Sequence, residues 1–171
     1  VRQPGQGVIN VRPLGARGNL IVDDSDAIEA AIGVAVSLGW PVYLPSGRYR
    51  VSRRFFPRSG IIGDGSSSTF IEVLDASPFA DGRAILHIGY PRSESDQPLL
   101  RIPVRGFSIR GGGIRPARRS PDPATMLSNA TGIFFDEMCH SITAVDVDAQ
   151  FCLWGIYFGG QVGHLLGKQL T

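Results

Sequence analysis

Apolar and polar positions follow two different rhythms along this chain, and one of them is confined to a short stretch near its beginning. Ala27, Ile28, Ala31, Ile32, Ala35 and Leu38 recur at helical spacing and form one apolar stripe. Asp23, Asp24 and Ser25 offer helix-capping oxygens directly before the stripe, and Gly39 stops it, so a helix is expected over 25–38. Beyond Gly39 the rhythm is that of strands. Short apolar or alternating runs stand at 41–45, 48–52, 60–63, 69–74, 84–88, 99–104 and 106–110, separated by glycine-, serine- and aspartate-bearing turns. In the run 48–52, Tyr49 and Val51 share one face. The segment from about 111 to 125 is rich in arginine and proline and has no period, so it reads as a long surface loop.

A repeat near the end sharpens this picture. Gly132-Ile133-Phe134-Phe135 returns as Gly155-Ile156-Tyr157-Phe158, a shift of 23 positions, and the same shift carries Ile142 onto Leu165 and Val147 onto Leu170. One strand-and-turn unit cannot bury its apolar face alone. A repeat of this length therefore predicts stacked units, a solenoid. The expected fold class is all-β with one N-terminal helix.

Composition changes the picture little. The net charge of +2 gives no case for nucleic acid, and no apolar run reaches the length of a membrane span. Lys168 is the sole lysine, so the basic residues are otherwise arginine, whose planar fork suits carboxylates and phosphates; codon usage accounts for the bias equally well. Cys139 and Cys152 sit on apolar stretches and read as reduced core residues, with a bridge as the lesser alternative. Residues 1–9 read as a linker. The chain opens on Val1, so a leader or a preceding domain is expected.

Three motifs, in order, carry a resemblance. Asn10-Val11-Arg12-Pro13-Leu14-Gly15-Ala16 is followed by Asp23-Asp24-Ser25-Asp26-Ala27-Ile28-Glu29-Ala30-Ala31-Ile32, then by Val42-Tyr43-Leu44-Pro45-Ser46-Gly47-Arg48-Tyr49. Together they resemble the opening of the pectate-lyase-like (pectin lyase fold) superfamily. The resemblance implies a right-handed parallel β-helix from residue 10 to 171, continuing beyond Thr171, with helix 25–38 as the cap of its open end. One departure stands out. Where the family usually has a Gly-Asp-Gly loop before the paired aspartates, this chain reads Gly18-Asn19-Leu20-Ile21-Val22, which raises the prospect of packing on another subunit or domain. The paired aspartates are assigned to capping rather than to metal.

The resemblance also implies a polysaccharide partner. It points to a phage tailspike: a homotrimeric virion-tail component with polysaccharide depolymerase activity, in which the chain recognises host surface glycan. The alternatives are a non-enzymatic virion rod and a secreted pectate lyase, polygalacturonase or uronan epimerase. No cofactor is expected, although Ca²⁺ would suit an acidic uronan. In Val145-Asp146-Val147-Asp148, alternation would send the valines inward and Asp146 and Asp148 outward, roughly 7 Å apart, as an acid/base pair. Solvated strand residues show the same alternation. Tyr157, and less so Trp154, would offer a ring face to a sugar; His140 and His164 would flank a groove; and Arg115 and Arg118, with Arg110 and Arg119, would clamp carboxylates. Asp136 and Glu137 read as corner residues. Gly111-Gly112-Gly113 lacks the features of a phosphate loop, and no zinc-ligand spacing is present.

Overall fold

The computed structural model describes residues 7–73, 84–88, 104–105, 108–116, 131–135, 139–140, 143–149 and 154–158 of the chain. In order, the elements are β1 (Ile9–Asn10), a 3₁₀ turn (Arg12–Leu14), β2 (Asn19–Asp23), α1 (Ser25–Leu38), β3 (Val42–Leu44), β4 (Gly47–Val51), β5 (Ile61–Gly63) and β6 (Thr69–Val73). They continue with β7 (Ala84–Ile88), β8 (Val104–Arg105), β9 (Ser108–Pro116), β10 (Thr131–Phe135), β11 (Cys139–His140), β12 (Thr143–Ala149) and β13 (Trp154–Phe158). The fold is mostly β, with one α-helix among the described residues.

Every paired strand among the described residues runs parallel to its neighbour. Parallel neighbours cannot be joined by a tight hairpin, so the chain leaves each sheet and returns to the same place in it before pairing again. The returns are in register. Ile9, Val42, Ile61, Ile109 and Ala144 occupy successive matching positions in the eight-stranded sheet, as do Arg48, Phe70, Gly113 and Asp148. In the three-stranded sheet β7-β10-β13 the matching positions are Leu86, Ile133 and Ile156, with Phe55 bridged to Leu86 ahead of them. The 23-residue repeat is therefore a real structural period: Ile133 faces Ile156, Phe134 faces Tyr157 and Phe135 faces Phe158. Ile142, Leu165 and Leu170 lie outside the described residues.

Alternate residues of these strands supply one continuous core. Val42, Leu44, Tyr49, Val51, Phe55, Val73, Leu86, Ile88, Ile133 and Phe135 are all buried in it. Each such aliphatic or aromatic side chain contributes roughly 1.5–3 kcal/mol relative to exposure. Helix α1 adds Ala27, Ile28, Ala31, Ile32 and Ala35 and packs against β1, β3 and the 3₁₀ turn. Gly39 ends it in the left-handed conformation (φ 67°), its amide donating to the Ala35 carbonyl. Small alanines on the buried face let the helix lie close to the strands.

Several local features differ from the sequence-based expectation. The expected linker ends in strand β1 (Ile9–Asn10), which gives way to a tight 3₁₀ turn that Pro13 favours. Asp24 occupies the helix N-cap position, yet its carboxylate accepts the Arg17 and Gly18 amides (2.6 and 3.0 Å) and makes no capping bond to the helix. It is buried, and it pins the preceding loop. The Ser25 hydroxyl accepts the Ser52 amide at 3.0 Å, which ties the helix start to the end of β4. The segment 18–22 is largely strand β2 and not a loop. The arginine-rich stretch expected as a loop from 111 is strand as far as Pro116, because β6 and β12 pair with it on either side; glycine-rich sequence carries no periodicity to reveal this. The rest of that expected loop lies outside the described residues, as does Cys152, while Cys139 opens β11.

The two members of the repeat are not equal. Ile133 has a strand on both sides and no exposed surface, whereas Ile156 is 39% exposed in the last described strand of its sheet. In chemical denaturation, Ile133→Ala is expected to cost about 2–5 kcal/mol, as for a large-to-small core change. Ile156→Ala is expected to cost less than half as much. Equal costs would contradict this ordering of rows.

Candidate functional site

The inward column Phe55, Leu86, Ile133 and Ile156 has an outward counterpart one residue on, since side chains alternate across a strand. Phe56, His87, Phe134 and Tyr157 fill it. The Phe56 and His87 rings lie 5.4 Å apart, His87 meets Phe134 edge-on at 4.7 Å and 74°, and Phe134 stacks on Tyr157 at 5.4 Å and 12°. The Arg54 guanidinium sits 5.0 Å from the centre of the Phe56 ring. The column grades from buried His87 through half-buried Phe56 and Phe134 to Tyr157, which is 44% exposed. One face of Tyr157 is held by Phe134, so the ring is a fixed planar surface with a phenol at its tip. Tyr157 was expected to face outward from its alternation, and it does. Phe56, His87 and Phe134 were not anticipated. Their signal is an aromatic or histidine following an inward apolar residue in each of four strand runs.

The aspartates of β12 do not alternate as expected. Asp146 adopts a left-handed conformation (φ 52°), which turns the strand at that residue. As a result Val145 is exposed while Val147 packs on the core. Both oxygens of Asp146 accept from Ser66, from its hydroxyl at 2.6 Å and its amide at 3.1 Å. The neighbouring Gly65 has φ 137°, a conformation that favours glycine. These hydrogen bonds lower the Asp146 carboxyl below its ordinary pKa. Asp148 is half-buried, in register with Gly113. Two rows back, between β5 and β6, Asp64 accepts from the Tyr43 hydroxyl (2.7 Å), the Ser46 amide (2.7 Å) and the Ser46 hydroxyl (3.0 Å). Its carboxyl is likewise lowered, first by the Tyr43 bond, while that same bond raises the Tyr43 phenol. Asp64 thus ties its corner to the row before it, and Asp146 ties β12 to the β5–β6 corner across the β9 row.

A third feature lies on the outward face of the eight-stranded sheet. Asp23, Arg50 and Glu72 stand in register on neighbouring strands, alternating in charge from strand to strand. Glu72 is buried and takes a two-pronged bond from Arg48 at 2.7 and 2.9 Å, which also raises the Arg48 guanidinium pKa. Arg115, expected in a loop, lies on β9 opposite Glu72. Arg110 is on the same strand, opposite Ile62.

The remaining sequence candidates are scattered. His140 lies on β11, in register with Arg105, away from the sheets of Tyr157 and of Asp146 and Asp148. Trp154 opens β13 and is not in a turn. His164, Arg118, Arg119, Asp136 and Glu137 fall outside the described residues. Among the described residues, no group of three or more His, Cys, Asp or Glu is placed to hold a metal ion, and no helix is long and apolar enough to cross a membrane.

The corner latches predict an acid response. Both carboxyls titrate below their ordinary value in the folded chain, so their contribution is complete above that value and is lost as pH falls through the folded one. The thermal midpoint is expected to fall from about pH 5 downward. Ser66→Ala and Asp146→Asn should each lower it at pH 7 and converge on the parent at the acid end. A variant-to-parent gap that is constant across pH would show that Asp146 is no latch.

Comparison with known proteins fits this architecture. A family model described as rhamnogalacturonase A/epimerase, pectate lyase-like, matches residues 8–109. Mannuronan C5-epimerase AlgE3 of Azotobacter vinelandii is 40% identical over 81 residues, which are 42% of this chain and 4% of that protein. The pre-neck appendage protein of Bacillus phage B103 is 35% identical over 79 residues, 45% of this chain and 9% of its own length. The chain thus spans under a tenth of either relative. Among solved structures, ORF18 of Geobacillus virus E2 superposes on 85% of this chain and 26% of its own, with a TM-score of 0.62 at 20% identity, a likeness of fold. The opening motifs, the parallel in-register sheets and a family match over more than half the residues lead to one conclusion: the chain belongs to the rhamnogalacturonase A/epimerase, pectate-lyase-like family.

Proposed function

We propose that this chain is the N-terminal portion of a right-handed parallel β-helix that binds polysaccharide, with α1 as the cap of its open end. Tyr157 is its best-supported contact to a sugar. The observation that carries this reading is the Phe56-His87-Phe134-Tyr157 column. It includes Tyr157, whose ring is stacked on Phe134 and 44% exposed, and such a ring can receive the apolar face of a pyranose. Family membership supports a glycan as the ligand. The likeness to a phage appendage protein supports placement in a virion, as a tailspike-type component acting on host surface glycan; a homotrimeric assembly and further domains belong to the same proposal.

A second reading is favoured by the identity to AlgE3, a mannuronan C5-epimerase: a secreted protein acting on an acidic uronan, for which Ca²⁺ would be a fitting companion. For either activity we propose Asp146 and Asp148 as the acid/base candidates in this portion; both oxygens of Asp146 accept from Ser66, which would have to give way for it to act. His140, His164, Arg115 and Arg118 are retained as proposed glycan contacts.

Affinity electrophoresis in gels containing polymannuronate or a bacterial capsular glycan tests the binding. Tyr157→Ala is expected to weaken retardation about 3- to 10-fold, in line with the loss of one aromatic contact, with unchanged circular dichroism. Unaltered retardation would remove Tyr157 from the site. Sizing and absorbance near 235 nm after incubation separate the activities: new unsaturated ends mean a lyase, shorter saturated chains a hydrolase. Binding with neither, and no change in uronate epimer ratio, means a receptor-binding rod.

A further inference from the structure

The first row of strands poses a physical problem, because β1 and β2 each pair on one side only among the described residues. A strand edge with free amides and carbonyls is a template for another chain. In β1 the Ile9 and Val11 amides donate to the Pro41 and Tyr43 carbonyls of the next row (2.9 and 3.1 Å), so the amides between them alternate away from it. Beyond the strand, the Arg12 amide at the start of the 3₁₀ turn is taken up by the side-chain oxygen of Asn10 at 2.9 Å. In β2 the same kind of bond falls within the strand. The side-chain oxygen of Asn19 accepts both the Ile21 and Val22 amides, at 3.0 and 3.2 Å, and the Ile21 carbonyl receives the Arg50 guanidinium at 3.1 Å.

The backbone of β2 is also unfit for pairing. Four positions from Asn19 to Asp23 stand against two from Arg48 to Arg50, so two residues are bulged out of the ladder. Leu20 sits at φ 65°, a left-handed conformation that a leucine rarely takes. The bulge leaves Ile21 75% exposed. An aliphatic side chain offered to solvent and a leucine held left-handed both cost stability, and a plain strand would avoid both.

We infer that Asn19 and the Leu20–Val22 bulge form an edge block that stops a second copy of this chain from adding its strand to β2. The Asn19 side chain consumes two amides that an incoming strand would need, and the bulge removes the flat register it would follow. Partners that meet this end then do so through side chains and not by strand addition.

Two variants of the 171-residue chain test the block: Asn19→Ala, which frees the amides, and deletion of Ile21 and Val22, which restores two residues against two. Mass is followed by light scattering over a range of protein concentrations, with circular dichroism as the check on folding. Both variants are expected to reach at least twice the parent mass at concentrations where the parent mass is constant. The deletion removes two exposed aliphatic side chains, so association through those side chains would fall and not rise. Folded variants that keep the parent mass throughout would overturn the inference. Hydrogen exchange on the parent tests the same bonds without any variant: the amides of Ile21 and Val22 are expected to be protected, and exchange at free-peptide rates at both would equally overturn it.

Discussion

Parallel pairing in exact register is the constraint from which the other features of this molecule follow. Because each strand lies over matching positions of the one before, except at the β2 bulge, inward positions lie over inward ones and outward over outward. Inward positions become an apolar column, as with Val42 and Ile61 or Leu86 and Ile133. Outward positions become columns too, aromatic at Phe134 and Tyr157 and alternately charged at Arg50 and Glu72. Slipping one strand by a single residue would put its apolar set outside and break all of these columns at once. The register is thus held by many weak contacts acting together.

Regularity of this kind concentrates difficulty at corners and ends. At the corners the chain must change direction within a few residues, and the solutions are local and polar: Asp64 receives Tyr43 and Ser46, while Asp146 takes a left-handed turn and receives Ser66. Helix α1 brings its alanines and isoleucines into the same core, against β1, β3 and the 3₁₀ turn. The edge of β2 is met by the Asn19 side chain. The paired aspartates of the opening motif fix the local backbone, with Asp24 buried as acceptor for two loop amides and Asp23 accepting the amide of Ser25.

Function on such a scaffold resides on the outside, where a column of identical positions gives evenly spaced groups along the stack. The column of Phe56, His87, Phe134 and Tyr157 offers a surface whose repeat is that of the strands, about 4.8 Å. A polymer with a short repeat of its own can meet that surface at more than one row. The fold therefore suits extended ligands in general, and the identity of the exposed side chains selects among them.

Sequence alone determined whatever depends on local rhythm. The helical stripe with Gly39 at its end, the strand runs at 42–44, 69–73 and 84–88, and the 23-residue return of Ile133 at Ile156 were legible because spacing of 3.6 or 2 residues and repetition are properties of the chain itself. Tertiary structure alone decided which circuits meet. The segment 108–116 is strand because β6 and β12 flank it, and three adjacent glycines carry no sign of that. Likewise Asp146 accepts both bonds from Ser66 because that residue arrives from eighty positions earlier. Partners brought together by rows of unequal length leave no fixed spacing in the sequence, so rhythm cannot announce them.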